Sequence, residues 1–180
     1  MKNILILIVP LLLCLIVNYD LKAQSEVYKN PSLSIEQRVD DIVSRMTLDE
    51  KISQMMNLAS PIPGLGILFY NRWNEGLHGV ACTGVATVFP QTKGLTATFN
   101  DSQLFNIATV ILDELRTKYN AHGKDTLIDG FLGLTIWFPN LNIFRDPHVD
   151  NGQETYGEDP FPTSRICMAF VKGMQGNVPD

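Results

Sequence analysis

The amino-acid sequence predicts an α/β fold, a portion of a (β/α)8 TIM barrel, from three observations. Two short apolar runs, Leu65–Tyr70 and Leu134–Phe138, have the length and bulk of buried strands. Each is followed by a long polar loop, and each loop leads into a segment with apolar residues at helical spacing. The order strand, loop, helix, repeated, is that of βα units wound around a parallel sheet. A complete barrel needs eight such units over roughly 250 residues. The 180 residues hold two clear units, with a third expected near Ala86–Phe89, so the chain is expected to be a truncated or partial barrel that lacks its carboxyl-terminal remainder.

Residues 1–24 read as a secretory signal peptide. Lys2 precedes an apolar run from Ile4 to Val17, and a short polar stretch ends near Ala23. That run is 14 residues long, short of the roughly 18–20 needed to cross a bilayer, so no membrane span is expected. Cys14 follows Leu13, where a lipid-attachment site would want a small residue. The mature chain is then residues 25–180, secreted or periplasmic and long enough for one ordinary core.

Ser34 with Gln37, and Thr47 with Glu50, are capping boxes that open two helices. The first presents Val39, Ile42, Val43 and Met46 on one face and the second Ile52, Met55 and Met56, a spacing that suits burial on a larger body. Pro61–Gly64 breaks that pattern before the first strand. Asn100 caps a helix over Asp101–Tyr119 whose core face is Leu104, Ile107, Ala108, Ile111, Leu112 and Leu115, and Gly123 suits its end. Pro139 ends the second strand, and a polar loop runs from Asn140 to Gly157. Asp159-Pro160 opens a last helix near Phe161–Lys172, with Gly173 and Gly176 near its end.

The formal net charge of -5 comes with no basic run, which excludes phosphate-tracking contacts and so a nucleic-acid partner. Cys82 and Cys167 are the cysteines of the mature chain. They allow one disulfide, but form neither a disulfide framework nor a zinc ligand set. His148 and Asp150 are two candidate ligands without a third, so neither a metal nor a cofactor is expected.

Barrel enzymes build their sites from loops at the carboxyl ends of the strands. The first loop offers Trp73, Asn74, Glu75 and His78; the second offers Asn140, Asn142, Arg145, Asp146 and His148. Aromatic rings stack on the apolar face of a sugar and carboxylates accept its hydroxyls, so these loops suit a sugar or polyol. Each residue also has a plainer reading. Glu75 could be a solvated loop acid, His78 a packed and hydrogen-bonded histidine, and Arg145-Asp146 a structural pair. Glu154, Glu158 and Asp159 read as organisers of the loop and of the last helix start.

The sequence resembles the amino-terminal domain of glycoside hydrolase family 3 from about Arg38 to Gly176. The residues that carry the likeness are Arg45-Met46-Thr47-Leu48-Asp49-Glu50-Lys51-Ile52, Trp73-Asn74-Glu75-Gly76-Leu77-His78-Gly79, Phe89-Pro90-Gln91, Pro139-Asn140-Leu141-Asn142-Ile143, Arg145-Asp146-Pro147, and Gly152-Gln153-Glu154-Thr155-Tyr156-Gly157-Glu158-Asp159-Pro160. The resemblance implies a retaining, exo-acting β-glycosidase for xylo- or gluco-oligosaccharides. That chemistry needs a carboxylate nucleophile and a carboxylic acid about 5–5.5 Å apart. In the family both fall beyond the position of Asp180, so no catalytic residue is assigned.

Two substrate contacts are implied within the chain, Glu75 and Arg145. The Asn74-Glu75 form resembles xylosidases, where glucosidases commonly carry Asp. The extra methylene leaves less room for a hydroxymethyl group and so favours a pentose, a selectivity usually worth about 10–200 fold. The implied activity is therefore that of a β-xylosidase, with a β-glucosidase, an α-arabinofuranosidase or a non-catalytic sugar-binding fragment as alternatives. One departure stands out. Where the family continues Arg-Asp-Pro with Arg-Trp-Gly-Arg, this sequence has His148-Val149-Asp150-Asn151, losing two positive charges and a tryptophan.

Overall fold

A computed structural model describes residues 26–123 and 130–176; the expected signal peptide lies outside them. The described residues fall into two compact units, one ending at Lys51 and the other beginning at Ile52.

In the first unit a 3-10 turn, Val27–Lys29, precedes helix α1, Ile35–Arg45. The capping box forms: Gln37 N–H donates to Ser34 Oγ at 3.3 Å and Ser34 N–H donates to Gln37 Oε1 at 3.2 Å. Asp41 accepts from the Arg45 guanidinium at 2.9 and 3.0 Å and from the Tyr28 amide at 3.0 Å, which ties the turn to the helix. Helix α2, Leu48–Gln54, begins with the second box, in which Glu50 N–H donates to Thr47 Oγ1 at 3.2 Å and Thr47 N–H to Glu50 Oε2 at 2.8 Å.

The apolar faces behind these caps are not core. Val39, Val43, Ile52, Met55 and Met56 are exposed, and neither helix carries a buried residue. The periodic pattern fixes which side of a helix seeks burial but does not supply the layer that buries it.

The second unit opens with β1, Leu58–Ala59, antiparallel to β2, Tyr70–Asn71, with Ala59 opposite Tyr70. Between them Pro63–Leu65 forms a 3-10 turn closed by Gly66 at φ 66°, a left-handed conformation suited to glycine. The first expected strand is thus reduced to its end. The second, Leu134–Phe138, pairs in no ladder, and neither does Ala86–Phe89. Strands are defined by partners, and here other groups take the amides. Tyr70 Oη accepts from Leu134 N–H at 2.8 Å and Thr135 N–H at 3.2 Å, while Trp137 N–H donates to Asn74 O at 3.1 Å.

Three helices form the body of this unit: α3, Thr92–Thr96; α4, Asp101–His122; and α5, Pro160–Gln175. Asn100 caps α4 by accepting from Gln103 N–H at 3.0 Å, and the buried residues of α4 are the six expected from periodicity. Asp159 caps α5 by accepting from Phe161 N–H at 2.8 Å, and Gly176 ends it at φ 79°. Helices α4 and α5 pack around Leu104, Ile111, Ile166 and Phe170, joined by Tyr156 and Leu95. Each large apolar side chain fully buried there contributes about 1.5–3 kcal/mol. Gly173 makes the close crossing possible, because a Cβ there would lie 2.5 Å from Phe105 O and 2.7 Å from Ala108 Cβ.

The outer side of α4 holds the chain that follows the first loop. Glu114 accepts from the Thr87 hydroxyl at 2.7 Å and the Thr87 amide at 3.1 Å; Lys118 Nζ donates to Thr83 O at 2.6 Å and Val85 O at 2.8 Å.

Cys82 is exposed, Cys167 is buried in the helical core, and both are free thiols. The allowed disulfide is not formed. Burial pushes the Cys167 thiol up to about 11, far from the thiolate that exchange requires. Among the described residues no helix is long and apolar enough to cross a membrane.

Candidate functional site

The two loops meet at a polar cavity of about 360 Å³, lined by Glu75, Gly76, Leu77, His78 and Gly79 from the first, by Gln153 and Glu154 from the second, and by Ala81 and Gln91. The first loop is anchored next to Glu75 by Asn74, which is fully buried. The Asn74 amide donates from Nδ2 to Gly133 O, and Oδ1 accepts from Glu75 N–H at 2.9 Å. One buried side chain therefore ties the second strand segment to the backbone of Glu75.

Gly76 and Gly79 are there for space. A Cβ on Gly76 would lie 2.6 Å from the Phe138 ring, which itself packs edge-on against Phe170 at 6.0 Å. A Cβ on Gly79, at φ 138°, would lie 2.3 Å from Thr87 O. His78 is the packed histidine its neighbourhood suggests: Nδ1 lies 3.1 Å from Phe89 O and His78 O accepts from Phe89 N–H at 2.8 Å. A carbonyl can only accept, so Nδ1 carries the proton and Nε2 is left as the other polar atom of the ring.

The Glu75 carboxylate accepts no hydrogen bond from a described residue. Partial burial holds its carboxyl above the ordinary value of 4.5, and the negative charge of Glu154 raises it further. A carboxyl that holds its proton more tightly in the folded state than in the unfolded chain costs stability once it ionises. That cost is absent at pH values below the ordinary range and appears as pH rises through the raised one. Glu75→Gln is accordingly expected to melt with the wild-type chain near pH 4 and above it near pH 7, a difference read from thermal unfolding at the two pH values.

Glu154 is the site residue that the loop pattern undervalued. It ends the 3-10 turn Gly152–Glu154, held on both sides because Thr92 Oγ1 donates to Gln153 O and Thr155 O, each at 3.1 Å. A carboxylate in a loop that follows a strand was the available signal; its place on the Glu75 cavity depends on a threonine some sixty positions away.

Arg145 is not brought to this cavity. It is exposed, is absent from the lining residues, and bonds to no described residue. Nor does it pair with Asp146, whose Oδ1 instead contacts His148 Nδ1 at 2.6 Å and accepts His148 N–H at 2.9 Å. Those bonds hold the Asp146 carboxyl below its ordinary range. The substituted segment His148–Asn151 thus forms an exposed, self-bonded turn next to Arg145. Among the described residues no three His, Cys, Asp or Glu side chains gather as metal ligands.

A larger groove of about 520 Å³ runs along α5 and is lined by Leu141, Ile143, Cys167, Met168 and Val171 among others. Its lining is mostly apolar, with Thr163, Ser164, Lys172 and Gln175 as its polar residues, whereas the smaller cavity carries two carboxylates, Glu75 and Glu154, and is the candidate site.

The Glycosyl hydrolase family 3 N terminal domain matches residues 35–178. The chain is 43% identical over 169 residues to a xylan 1,4-β-xylosidase of Xylanibacter ruminicola, covering 91% of this chain and 19% of that protein. It is 44% identical over 154 residues to β-xylosidase/α-L-arabinofuranosidase 1 of Medicago sativa subsp. varia, covering 80% and 19%. A solved family 3 exo-β-xylosidase, in complex with a xylobiose aziridine probe, superposes with a TM-score of 0.73 at 32% identity, covering 86% of this chain and 20% of that one. The chain therefore spans about a fifth of the length of these relatives. With its matched residues, its loops and its helices in the family's order, the chain belongs to glycoside hydrolase family 3 and contains part of that family's amino-terminal (β/α)8 barrel domain.

Proposed function

We propose that the chain is the sugar-gripping portion of a retaining, exo-acting β-xylosidase that works outside the cytoplasm, secreted or periplasmic, on xylo-oligosaccharides. The observation that carries this reading is the Glu75 carboxylate, which lines a polar cavity with no donor from a described residue bonded to it. Such an acceptor suits the hydroxyls of a terminal pyranose. Arg145, exposed on the second loop and outside this cavity, is proposed as a second contact on the strength of its motif alone. The names of the relatives support a xylosidase, and the Medicago name adds an arabinofuranosidase as the second reading. Both sugars are pentoses, which agrees with the volume argument at Glu75.

Grafting residues 35–178 in place of the matched segment of the Xylanibacter ruminicola relative tests the reading with an active enzyme. The chimera is expected to hydrolyse nitrophenyl β-xyloside in preference to the β-glucoside. Glu75→Asp is expected to move that ratio toward glucoside by about 10–200 fold, the value of one methylene in a pocket. An unchanged ratio would refute the pocket argument. The 180-residue chain alone is expected to hydrolyse neither, since no nucleophile and acid pair is assigned within it.

A further inference from the structure

The cavity that holds Glu75 holds a second carboxylate, Glu154, and no lysine or arginine is among the residues that line it. Both acids are partly buried, and neither carboxylate accepts a hydrogen bond from a described residue. Both are nonetheless mounted rigidly. Glu75 N–H is held by Asn74 Oδ1, and Glu75 O accepts from Ala81 N–H at 3.0 Å. Glu154 N–H donates to Asn151 O at 3.0 Å, and the carbonyls on either side of it, Gln153 O and Thr155 O, share the hydroxyl of the buried Thr92. The Thr155 hydroxyl closes the turn on Gly152 O at 2.9 Å. The charge of Glu154 reaches Glu75 and helps to hold that carboxyl above its ordinary range. Nothing in the turn neutralises it. Residues three apart are in line in a 3-10 turn, and the residue in line with Glu154 is Asn151, which carries no charge.

We propose that Glu154 is a second sugar-gripping residue of this cavity, accepting one of two adjacent hydroxyls of the terminal pyranose while Glu75 accepts its neighbour. The chemistry of the lining selects such a ligand. The side-chain donors among the lining residues are the amides of Gln91 and Gln153; the two acids only accept, and a neutral His78, with Nδ1–H on Phe89 O, adds an acceptor. A lining rich in acceptors suits a ligand that donates at adjacent positions, as a polyol does and an ether or ester does not. A sugar acid is disfavoured, because its charge would meet two of the same sign. A metal ion fits less well, since among the described residues no three ligands gather. The volume of about 360 Å³ is at the small end of the range for small-molecule sites, which suits a single sugar ring. A bound diol places a donor before each negative charge, and so relieves in the complex the repulsion that the free cavity carries.

This inference rests on the terminal-sugar reading of Glu75, and one set of titrations separates the two. Methyl β-xyloside and its 2-deoxy, 3-deoxy and 4-deoxy analogues are each titrated against the 180-residue chain, with binding followed by saturation-transfer NMR. In the parent chain, loss of either of two adjacent hydroxyls is expected to weaken binding about 10–100 fold, the value of one hydrogen bond to a charged group. Glu154→Ala is expected to weaken the intact xyloside by a similar factor and to become indifferent to the loss of one of those two hydroxyls, while remaining sensitive to the loss of the other. Glu154→Gln, which keeps the length of the side chain and a neutral acceptor, is expected to show the same selective change at smaller size. Should the alanine variant not fold, the glutamine variant decides alone. A residue that only shapes the loop would weaken all four ligands alike. If the Glu154 variants bind all four as the parent chain does, or weaken all four equally, Glu154 is no sugar contact and the Glu75 reading stands. If the parent chain binds no xyloside, both are wrong.

Discussion

Gly79→Ala is expected to destabilise the unit that begins at Ile52 by roughly 2–6 kcal/mol, the sum of backbone strain and overpacking. Two independent features combine at this position. The backbone φ of 138° is one that a side chain rarely adopts, and the new Cβ would lie 2.3 Å from Thr87 O, a backbone atom. Thr87 cannot yield cheaply, because its amide and hydroxyl are both bonded to Glu114 on α4. His78, the neighbour of Gly79, is bonded to Phe89 through both ring and carbonyl. Urea unfolding of the variant measures the loss. Gly84→Ala serves as a graded control with positive φ and open space, and Gly64→Ala as a control with nothing within 4 Å. If Gly79→Ala were as mild as Gly64→Ala, the close approach of the two segments would not exist in solution.

Asn74→Ala is expected to cost about 2–5 kcal/mol, because it orphans two buried groups at once, the Gly133 carbonyl and the Glu75 amide. The expected damage is also local to the candidate site, since the amide left without its acceptor is that of Glu75. Asn74→Asp sharpens the case. A protonated carboxyl at this position can still donate to Gly133 O, whereas an ionised one turns a negative charge toward that carbonyl in a fully buried place. The introduced carboxyl is therefore raised in the folded state, and its stabilising contribution is present at acid pH and lost as pH rises. Thermal melts of the Asn74→Asp variant at pH 4 and pH 7, each compared with the parent chain, are expected to show a small deficit at the first and a large one at the second. Equal deficits would mean that Asn74 does not bond as described.

How far the sequence could be read depended on how local each feature is. The buried face of α4 was legible residue by residue, because a period of 3.6 is a property of a single helix and Leu104, Ile107 and Ile111 carry it unaided. The capping boxes at Ser34 and Thr47 were legible for the same reason. The strands were less so, because Leu134–Phe138 has the composition of a strand while its amides go to Tyr70 Oη and Asn74 O instead of a ladder. The apolar faces of α1 and α2 were legible as faces that suit burial on a larger body, and Val39 and Met55 are exposed among the described residues.

The candidate site divides along the same line. Glu75 was marked by its motif and lines a polar cavity. Glu154 reads locally as a loop acid, and its position beside Glu75 is made by Thr92, which is distant in sequence. Arg145 keeps its motif position but is exposed beside the turn at His148, whose residues replace those the family usually carries.

The role of the Glu75 cavity is tested most directly by xylose binding to the 180-residue chain, followed by saturation-transfer NMR with Glu75→Ala and Lys172→Ala. Lys172 lines the apolar groove on α5 and serves as the control. The expected result is saturable xylose contact in the parent chain and in Lys172→Ala, and its loss in Glu75→Ala. Equal xylose binding by the parent chain and Glu75→Ala would contradict the assignment of this cavity as the terminal sugar site.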